Sequence, residues 1–396
     1  MVQRGVFIPA CDEAELLPGA IESLARLPYT TLLVVVINQR RNAGDSVKAA
    51  NRHSIEKLLE YPHQMEGPNR YRIHTDELEI LVIDHQSEGF ELGPKQGVGR
   101  ARHIGASALV DEWQNGLIEY PIFWSTDADA RFADDYLDSF LTHADVFPLP
   151  YTHIQASEAL QLYELSLRYY TLALHWANSP YAYPTIGSSI AFHGNTYLTT
   201  RGFPDRMAGE DFYWLNKARK ISRFAVPAKA PVMLIDRPSD RVPFGTGKGS
   251  ADIAEANCAL TLYHPDIFSN LREWLMVLNT ASDSELVEGL QQIFPEYDGF
   301  GRLNKVIAQA TSPARMIQRR HEFFDAFRTM RWVHQYRDKH LSNLSWTDAV
   351  HTAPWMPAMH GHLNHYAQQL LETEQKTLSA HLFDKVLSSG QTPSLS

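Results

Sequence analysis

Long apolar runs alternate with amphipathic segments through the first half of the chain. The runs at 5–10, 31–38, 78–84 and 121–129 have the length and the branched apolar side chains of strands buried on both faces. The segments between them place apolar residues three and four positions apart, which is the spacing of an amphipathic helix. These helices are predicted over 12–27, 45–60 and 97–113. The alternation predicts an α/β fold with a mainly parallel sheet flanked by helices.

The pattern changes after residue 150. We predict a helix over 153–178, a strand and a short helix within 186–203, a helix over 209–220 and a strand within 225–236. From about Ser250 the spacing of apolar residues is mostly helical. We therefore divide the chain into an α/β part, 1–250, a helical C-terminal part, 251–390, and a frayed tail, 391–396.

Polar residues follow the predicted strands at the points where they end. In parallel sheets of this kind ligands bind beyond the carboxyl ends of the strands. We therefore expect one rim of the sheet to carry Asp12, Glu13, Asn38, Asp84, Asp127 and Asp129.

Composition narrows the class of protein. The chain has 396 residues, and its net charge of −10 argues against binding to a nucleic-acid backbone. Cys11 and Cys258 are the only cysteines, which indicates a reducing compartment and no disulfide framework. No apolar run approaches the roughly 20 residues of a membrane span. We expect a cytoplasmic protein, either free or peripheral to the inner face of a membrane.

Asp127 and Asp129 end the fourth predicted strand with one residue between them. Side chains at i and i+2 of a strand point to the same side, and two carboxylates held there repel unless a cation is near. Mg²⁺ and Mn²⁺ prefer oxygen ligands, and Mg²⁺ fills its remaining positions with water and substrate phosphates. A metal-bound diphosphate would fit this pair. An isolated Asp-x-Asp is more often a solvated turn, and an EF-hand is excluded because Arg131 stands in the loop and the required glycine is missing.

Three other segments have both a functional and an ordinary interpretation. Glu210 and Asp211 could include a general base, or they could be acids favoured at a helix start by its dipole. The basic, glycine-rich stretch with Arg237, Arg241 and Lys248 could close over phosphate, or it could be a surface loop. The segment "GVGRARHIGAS" lacks the full dinucleotide fingerprint, although its two arginines, Arg100 and Arg102, could reach a diphosphate.

The histidines of "HGHLNH", His360, His362 and His365, could bind a transition metal. No cysteine or zinc-protease spacing accompanies them, so a polar helix start is the better interpretation.

Taken in order, five segments resemble the family 2 glycosyltransferases of the GT-A fold. They are "VFIPACDEAELLPGAIESL", "VVVINQRRNAGDS", "GVGRARHIGASAL", "WSTDADARFADDYL" and "GSSIAFHGNTYLTTRGFPDRMAGEDFYWLNKARK". The resemblance covers roughly residues 5–250. It implies an inverting transfer of one sugar from a nucleotide-diphosphate sugar to an acceptor hydroxyl, with Mn²⁺ or Mg²⁺ as cofactor.

The resemblance also implies roles for individual residues. Asp127 and Asp129 would hold the metal and the donor diphosphate, Asp211 would be the general base, and Glu210 would orient the acceptor or Asp211. The nucleotide site would be lined by Pro9, Ala10, Glu13, Asn38 and Asp84, with Arg100, Arg102, Arg241 and Lys248 near the phosphates. Asp134 and Asp135 would be acids of the next helix's first turn.

The chain departs from the family's pattern in several places. Asn38 replaces an acid, and its amide could contact either uracil or guanine, with a UDP-sugar favoured over a GDP-sugar. His103 replaces an asparagine, and the Gln-x-x-Arg-Trp signature of processive synthases is absent. The acceptor could be a small metabolite, a lipid-linked sugar or a peptide. The helical part could shape the acceptor site or form a homodimer contact.

Three alternatives remain open at this point. A retaining transferase of the same fold would use a downstream histidine, His264 or His193, as a further metal ligand and would not need Asp211 as a base. A nucleotidyltransferase would need a basic glycine-rich loop after the first strand, where "IPACDEAELL" has none. A non-catalytic module that binds a nucleotide sugar is the third.

Overall fold

A ten-stranded mixed sheet forms the centre of the molecule. The computed structural model describes residues 1–138, 140, 143–229, 231–236, 245–282, 284–308, 313–380 and 382–383. The strands are β1 Arg4–Ala10, β2 Thr31–Asn38, β3 His63–Gly67, β4 Arg70–His74, β5 Leu78–His85, β6 Ile122–Ser125, β7 Ala130–Arg131, β8 Val146–Pro148, β9 Tyr151–Ile154, β10 Ile190–His193, β11 Phe224–Ala225, β12 Val232–Ile235, β13 Thr261–Leu262, β14 Leu344–Ser345 and β15 Leu382–Phe383. The order in the large sheet is β15-β11-β8-β10-β6-β1-β2-β5-β4-β3.

Fourteen α-helices are found in the described residues. They are α1 Leu17–Ala25, α2 Asp45–Leu58, α3 Val98–Gln114, α4 Glu158–Trp176, α5 Gly194–Thr200, α6 Glu210–Arg219, α7 Thr246–Glu255, α8 Pro265–Thr280, α9 Leu286–Ile293, α10 Phe300–Ala308, α11 Pro313–Phe323, α12 Ala326–Lys339, α13 Trp346–Thr352 and α14 Leu363–Ser379. A 3₁₀ helix spans Tyr136–Asp138. None of the helices described has the length and apolar character needed to cross a membrane.

The four middle strands, β6, β1, β2 and β5, are parallel to one another. Successive side chains of a strand point to opposite faces, so Phe7 enters one apolar core while Val6 and Ile8 enter the other. Because both faces are covered, these strands read as continuous apolar runs. The predicted α/β class, with a parallel centre flanked by helices, is confirmed.

The β3–β4 hairpin at one edge of the sheet was not predicted. Its residues are largely polar and its outer strand is exposed, so the sequence carries no apolar pattern there. The hairpin is held instead by Arg72, whose guanidinium binds Glu66, Glu79 and Glu112. Glu112 is 40 positions from Arg72 in the sequence, and ion pairs of this kind leave no periodic signal.

The helix predicted over 153–178 was placed too early. The chain first forms β9, Tyr151–Ile154, which pairs in parallel with β12. The helix α4 begins only at Glu158, because the side chain of Ser157 caps it by accepting a hydrogen bond from the Leu160 N–H at 3.4 Å.

The C-terminal part is mostly helical, as predicted. It does not enclose a core of its own, because Trp274 and Tyr366 belong to the same cluster of buried residues as Phe7 of the sheet. The two parts of the chain therefore share apolar contacts across the predicted division at 250. The tail, 391–396, lies outside the described residues.

A buried ion pair joins the last helix to the rest of the molecule. Arg168 of α4 pairs with Glu374 of α14, and both side chains are almost fully buried. The same guanidinium donates to the Tyr151 carbonyl oxygen at 2.6 Å and lies 3.6 Å from a carboxylate oxygen of Glu164. Glu164 in turn contacts His153 at 2.6 Å. The network fixes α14 to α4 and β9.

Replacing Glu374 with alanine should destabilise the protein strongly, because it leaves the Arg168 charge buried without its partner. We expect a loss of about 3–5 kcal/mol in the free energy of unfolding, measured by urea denaturation. Glu372→Ala is the matched control, since Glu372 is an exposed acid on the same helix. Equal losses for the two variants would contradict the assignment.

Candidate active site

The rim predicted from the sequence exists in the structure. Because β6, β1, β2 and β5 are neighbours and parallel, the residues that follow or end them lie side by side at the carboxyl edge of the sheet. Ala10 is paired with Ile37, and Ile37 is paired with Asp84. Asp127 follows the end of β6, on the other side of β1. A ligand at this edge could contact several strand ends at once.

Asn38 and Asp84 are buried and already engaged in hydrogen bonds. The Asn38 amide nitrogen donates to the carbonyl oxygens of Ala10 at 3.0 Å and Val36 at 3.1 Å, which ties the ends of β1 and β2 together. One carboxylate oxygen of Asp84 accepts from the backbone N–H groups of Gln86 and Ser87 at 2.8 and 2.9 Å. The Asn38 amide oxygen and the second Asp84 oxygen are thus the groups through which these side chains could meet a base or ribose.

The turn after β1 is also well ordered by contacts. Pro9, Ala10 and Glu13 are buried, and the Glu13 carbonyl oxygen accepts from Leu17 N–H at 3.0 Å as α1 begins. Asp12 has a φ of 61°, and its N–H donates to the Asn51 side-chain oxygen at 2.8 Å.

Asp127 and Asp129 lie in a turn rather than on a strand. The chain leaves the sheet after Ser125, and the Ala130 N–H closes the turn on the Asp127 carbonyl oxygen at 3.2 Å. Buried and partly exposed side chains still alternate in this turn: Ala128 is fully buried, whereas Asp127 and Asp129 are partly exposed. Both side chains are therefore partly open to solvent, but they lie beyond the strand on which the sequence analysis placed them.

Arg102 of α3 is the centre of the site. Its Nε donates to Glu210 at 2.7 Å, one terminal nitrogen donates to Ser125 Oγ at 2.9 Å, and the other donates to Asp127 at 2.8 Å. The side chain is only 4% exposed. Gly187 makes this possible, since a Cβ at that position would lie 2.7 Å from the guanidinium. The side chain predicted to reach a diphosphate is thus occupied by protein groups.

Arg100 does not share the environment of Arg102. The two arginines are two residues apart on a helix, so their side chains point about 200° apart. The pKa of His103 is lowered mainly by burial and secondly by the positive charge of Arg100. The glycines beside these arginines serve packing. A Cβ on Gly99 would lie 2.5 Å from the Pro204 carbonyl oxygen, so its absence lets the segment before α6 cross the start of α3.

Glu210 and Asp211 open α6, where acids are favoured by the helix dipole. Glu210 is buried against Arg102, whereas Asp211 is partly exposed and accepts from the Phe212 N–H at 2.7 Å. Burial, followed by the negative charge of Glu210, raises the pKa of Asp211 to about 7. A carboxyl group with this pKa can exchange a proton near neutral pH.

Two residues of the site were not predicted from the sequence. Ser125 accepts from Arg102 and donates to the Gly187 carbonyl oxygen at 2.7 Å, joining the end of β6 to the segment before β10. Tyr163 of α4 has a raised pKa, caused by burial and then by the charge of Asp211. The available signal for Ser125 was its position two residues before Asp127, whereas the sequence around Tyr163 carried none.

Several other predicted residues have local partners. Lys248, in the first turn of α7, pairs with Asp252 one turn later. His264 and His193 accept from backbone N–H groups at 3.2 and 3.1 Å as caps of α8 and α5. Arg237 and Arg241 lie outside the described residues.

Two of the remaining predictions concern helix starts. Asp134 and Asp135 precede a three-residue 3₁₀ helix, not an α-helix, so no helix dipole of useful length explains them. His362 is the residue before α14, as expected for a polar helix start.

The donor set suits a divalent metal that also binds substrate. Within the described part of the chain, no three His, Cys, Asp or Glu side chains lie close enough together to hold a metal ion by themselves. Asp127 and Asp129 supply two carboxylates, and the Arg102 guanidinium that binds Asp127 also binds Glu210 and is influenced by the charge of Asp211. The excess of negative charge favours a cation, and two carboxylates leave positions for phosphate and water.

Comparisons with known proteins give only distant likenesses. No family model and no curated protein matches the sequence. The mannosyltransferase PcManGT of Pyrobaculum calidifontis, solved with GDP-Man and Mn²⁺, is 13% identical, with 96% of this chain and 86% of that chain aligned and a TM-score of 0.37. TarS of S. aureus is 12% identical over 96% of this chain and 90% of its own, with a TM-score of 0.34.

The glucosyl-3-phosphoglycerate synthase of Mycobacterium tuberculosis, solved with Mn²⁺, uridine diphosphate and phosphoglyceric acid, is also similar. It is 13% identical over 67% of this chain and 84% of its own, with a TM-score of 0.37. At these identities and scores, no residue role or substrate carries over to this chain.

Replacing Asp211 with asparagine should stabilise the protein in a pH-dependent way. The folded-state pKa of about 7 lies above the ordinary value of 3.8, so the folded state binds this proton more tightly and loses stability as pH rises between these values. Asparagine resembles the protonated acid. Its advantage should be small at pH 4 and reach about 1–3 kcal/mol at pH 8.

Thermal unfolding of both proteins at pH 4, 6 and 8 measures the difference. Asp205→Asn, at an exposed position in the segment before α6, is the control and should show no comparable pH-dependent gain. A constant difference between Asp211→Asn and the parent would contradict the raised pKa.

Proposed function

We propose that the chain is a glycosyltransferase that moves a single sugar from a nucleotide-diphosphate sugar to an acceptor hydroxyl with inversion. The observation that carries the proposal is the junction at Arg102. One buried guanidinium joins Asp127 of the acidic turn to Glu210, the neighbour of a carboxyl group whose pKa is about 7. Arg102 thereby fixes Asp127, which we propose binds the donor diphosphate, relative to the helix start that carries Asp211, the candidate base. The glycosyltransferase resemblance implies the same two roles.

Asp211 acts as the general base in this proposal. Its side chain is partly exposed, so it can meet an acceptor hydroxyl, and its pKa suits proton removal near neutral pH. Glu210 does not face the acceptor, because it is 4% exposed and bound to Arg102. It positions Arg102, and its charge raises the pKa of Asp211. The C–O bond to the leaving diphosphate breaks as the acceptor oxygen bonds the anomeric carbon from the opposite face.

Asp127 and Asp129 would hold Mn²⁺ or Mg²⁺ together with the donor diphosphate. When bound, the metal supplies positive charge that stabilises the leaving diphosphate. Arg102 keeps one Asp127 oxygen in place through a hydrogen bond of 2.8 Å, so the carboxylate presents its remaining oxygen in a fixed direction. The nucleoside would lie at the ends of β1, β2 and β5, against Pro9, Ala10, Glu13, Asn38 and Asp84.

Calorimetric titration with a panel of UDP- and GDP-sugars, with and without Mn²⁺, tests the donor site. We expect one nucleotide sugar to bind with Mn²⁺ and only weakly without it, because two protein carboxylates need the diphosphate to complete the coordination. Asp129→Asn should abolish the Mn²⁺-dependent binding of the nucleotide sugar. Asp134→Asn, which alters an exposed acid, should leave that binding intact. Metal-independent binding, or no binding by any member, would sink the proposal.

The pH dependence of transfer tests the base. In the parent protein kcat/KM should rise about tenfold per pH unit below the pKa of Asp211, about 7, and level off above it. Asp211→Asn should lower kcat at least about 100-fold while donor binding remains. Glu210→Gln should shift the acid limb to lower pH, because it removes a charge that raises the pKa of Asp211.

Activity retained by Asp211→Asn would favour a retaining mechanism instead. A normal acid limb in Glu210→Gln would show that this carboxylate has no influence on the base.

A further inference from the structure

A depression lies outside the candidate active site, between α6 and the beginnings of α10 and α12. It encloses about 380 Å³, and its lining includes Tyr213, Arg302, Phe327, Arg328 and Arg331. We call it the α6–α12 groove. It is formed jointly by the sheet-bearing part of the chain and the helical C-terminal part.

The groove is separate from the site of the proposed base. Asp211 and Tyr213 are two residues apart on α6, and at 100° per residue their side chains leave the helix in nearly opposite directions. A ligand in the groove would therefore lie across the helix from Asp211, without contacting the carboxylates that Arg102 joins.

One wall of the groove is aromatic and open to solvent. The rings of Tyr213 and Phe327 are stacked, with centroids 6.2 Å apart and planes inclined by 30°. Phenylalanine side chains are usually buried, but Phe327 is 38% exposed and does not belong to an apolar core. Arg206 covers part of the Tyr213 ring, with its guanidinium carbon 3.6 Å from the centroid. An apolar or ring-shaped ligand could cover the remaining surface.

The rest of the lining carries an excess of positive charge. Three arginines, Arg302, Arg328 and Arg331, line the groove together with two carboxylates, Asp298 and Asp325. Asp325 is engaged by Lys220 at 2.6 Å and by the Arg328 backbone N–H at 3.1 Å, where it caps α12. In a chain of net charge −10, this local excess is a specific feature.

Two of these arginines can be redirected toward a ligand at little cost. Arg331 pairs with Asp298, but the side chains are 51% and 47% exposed, and such surface pairs contribute little free energy. Arg302, at the start of α10, is exposed, and no ion pair of its side chain is found among the described residues. Guanidinium groups bind phosphate and carboxylate oxygens through paired N–H donors.

We propose that the α6–α12 groove binds a small organic oxyanion, with its ring against Tyr213 and Phe327 and its charged oxygens toward Arg302 and Arg331. Phosphate and carboxylate share this chemistry. The proposal does not depend on the transfer activity, because the groove and the active site use opposite faces of α6.

Calorimetric titration of the full chain with phenyl phosphate, benzoate, inorganic phosphate and phenol tests the proposal. Each titration is run with and without saturating UDP and Mn²⁺, and the groove variants described below separate binding in the groove from binding at the donor site. We expect one ring-bearing oxyanion to bind per chain, more tightly than either inorganic phosphate or phenol. Tighter binding of phenyl phosphate than of benzoate would identify the ligand as a phosphate, and the reverse order would identify it as a carboxylate.

Variants locate the binding. Arg302→Ala and Arg331→Ala should each weaken binding of the tighter probe about tenfold, and Phe327→Ala should weaken it without changing the affinity for inorganic phosphate. Arg26→Ala, at an exposed arginine next to α1, is the control and should have no effect. All of the altered side chains are exposed, so melting temperatures should match the parent. No binding of the ring-bearing probes, or an affinity unchanged from the parent in both arginine variants, would overturn the proposal.

Discussion

The buried guanidinium of Arg102 is the constraint on which the site depends. A charged group with 4% exposure is tolerated only when its hydrogen-bonding capacity is met and its charge is balanced. Glu210, Ser125 and Asp127 meet that need from three different parts of the chain. Their positions are therefore not independent, because a shift of α6 or of the turn after β6 would break a buried hydrogen bond. This coupling explains how a surface carboxylate and a helix start become parts of one arrangement.

The site nevertheless has more carboxyl groups than fixed positive charges. One guanidinium faces Asp127, Glu210 and Asp211, and the pKa of Asp211 rises because its charge would be a further burden in partly dry surroundings. The raised pKa of Asp211 and the local excess of negative charge thus have one physical origin, which is the shortage of fixed positive charge. A protein that only needed stability would pair or remove these carboxylates.

Much of this could be predicted from the sequence, and the failures have physical reasons. The apolar runs of β1, β2, β5 and β6 identify the parallel centre because both faces of these strands are buried. Asp127, Glu210 and Asp211 could be named because acids at strand and helix ends are conspicuous. Arg102 was named as a ligand for diphosphate, but its partners come from residues up to 108 positions away, which no local pattern reveals. The β3–β4 hairpin and the role of Ser125 depend on such contacts in the same way.

The ion pair between Arg168 and Glu374 has a consequence for how the chain folds as it is made. Glu374 is synthesised 206 residues after Arg168, and β15 completes the edge of the sheet later still. Until then a growing chain holds the Arg168 charge without its carboxylate and exposes the edge of β11. An open strand edge invites pairing with other chains. The growing chain is therefore vulnerable to aggregation until both Glu374 and β15 have emerged from the ribosome.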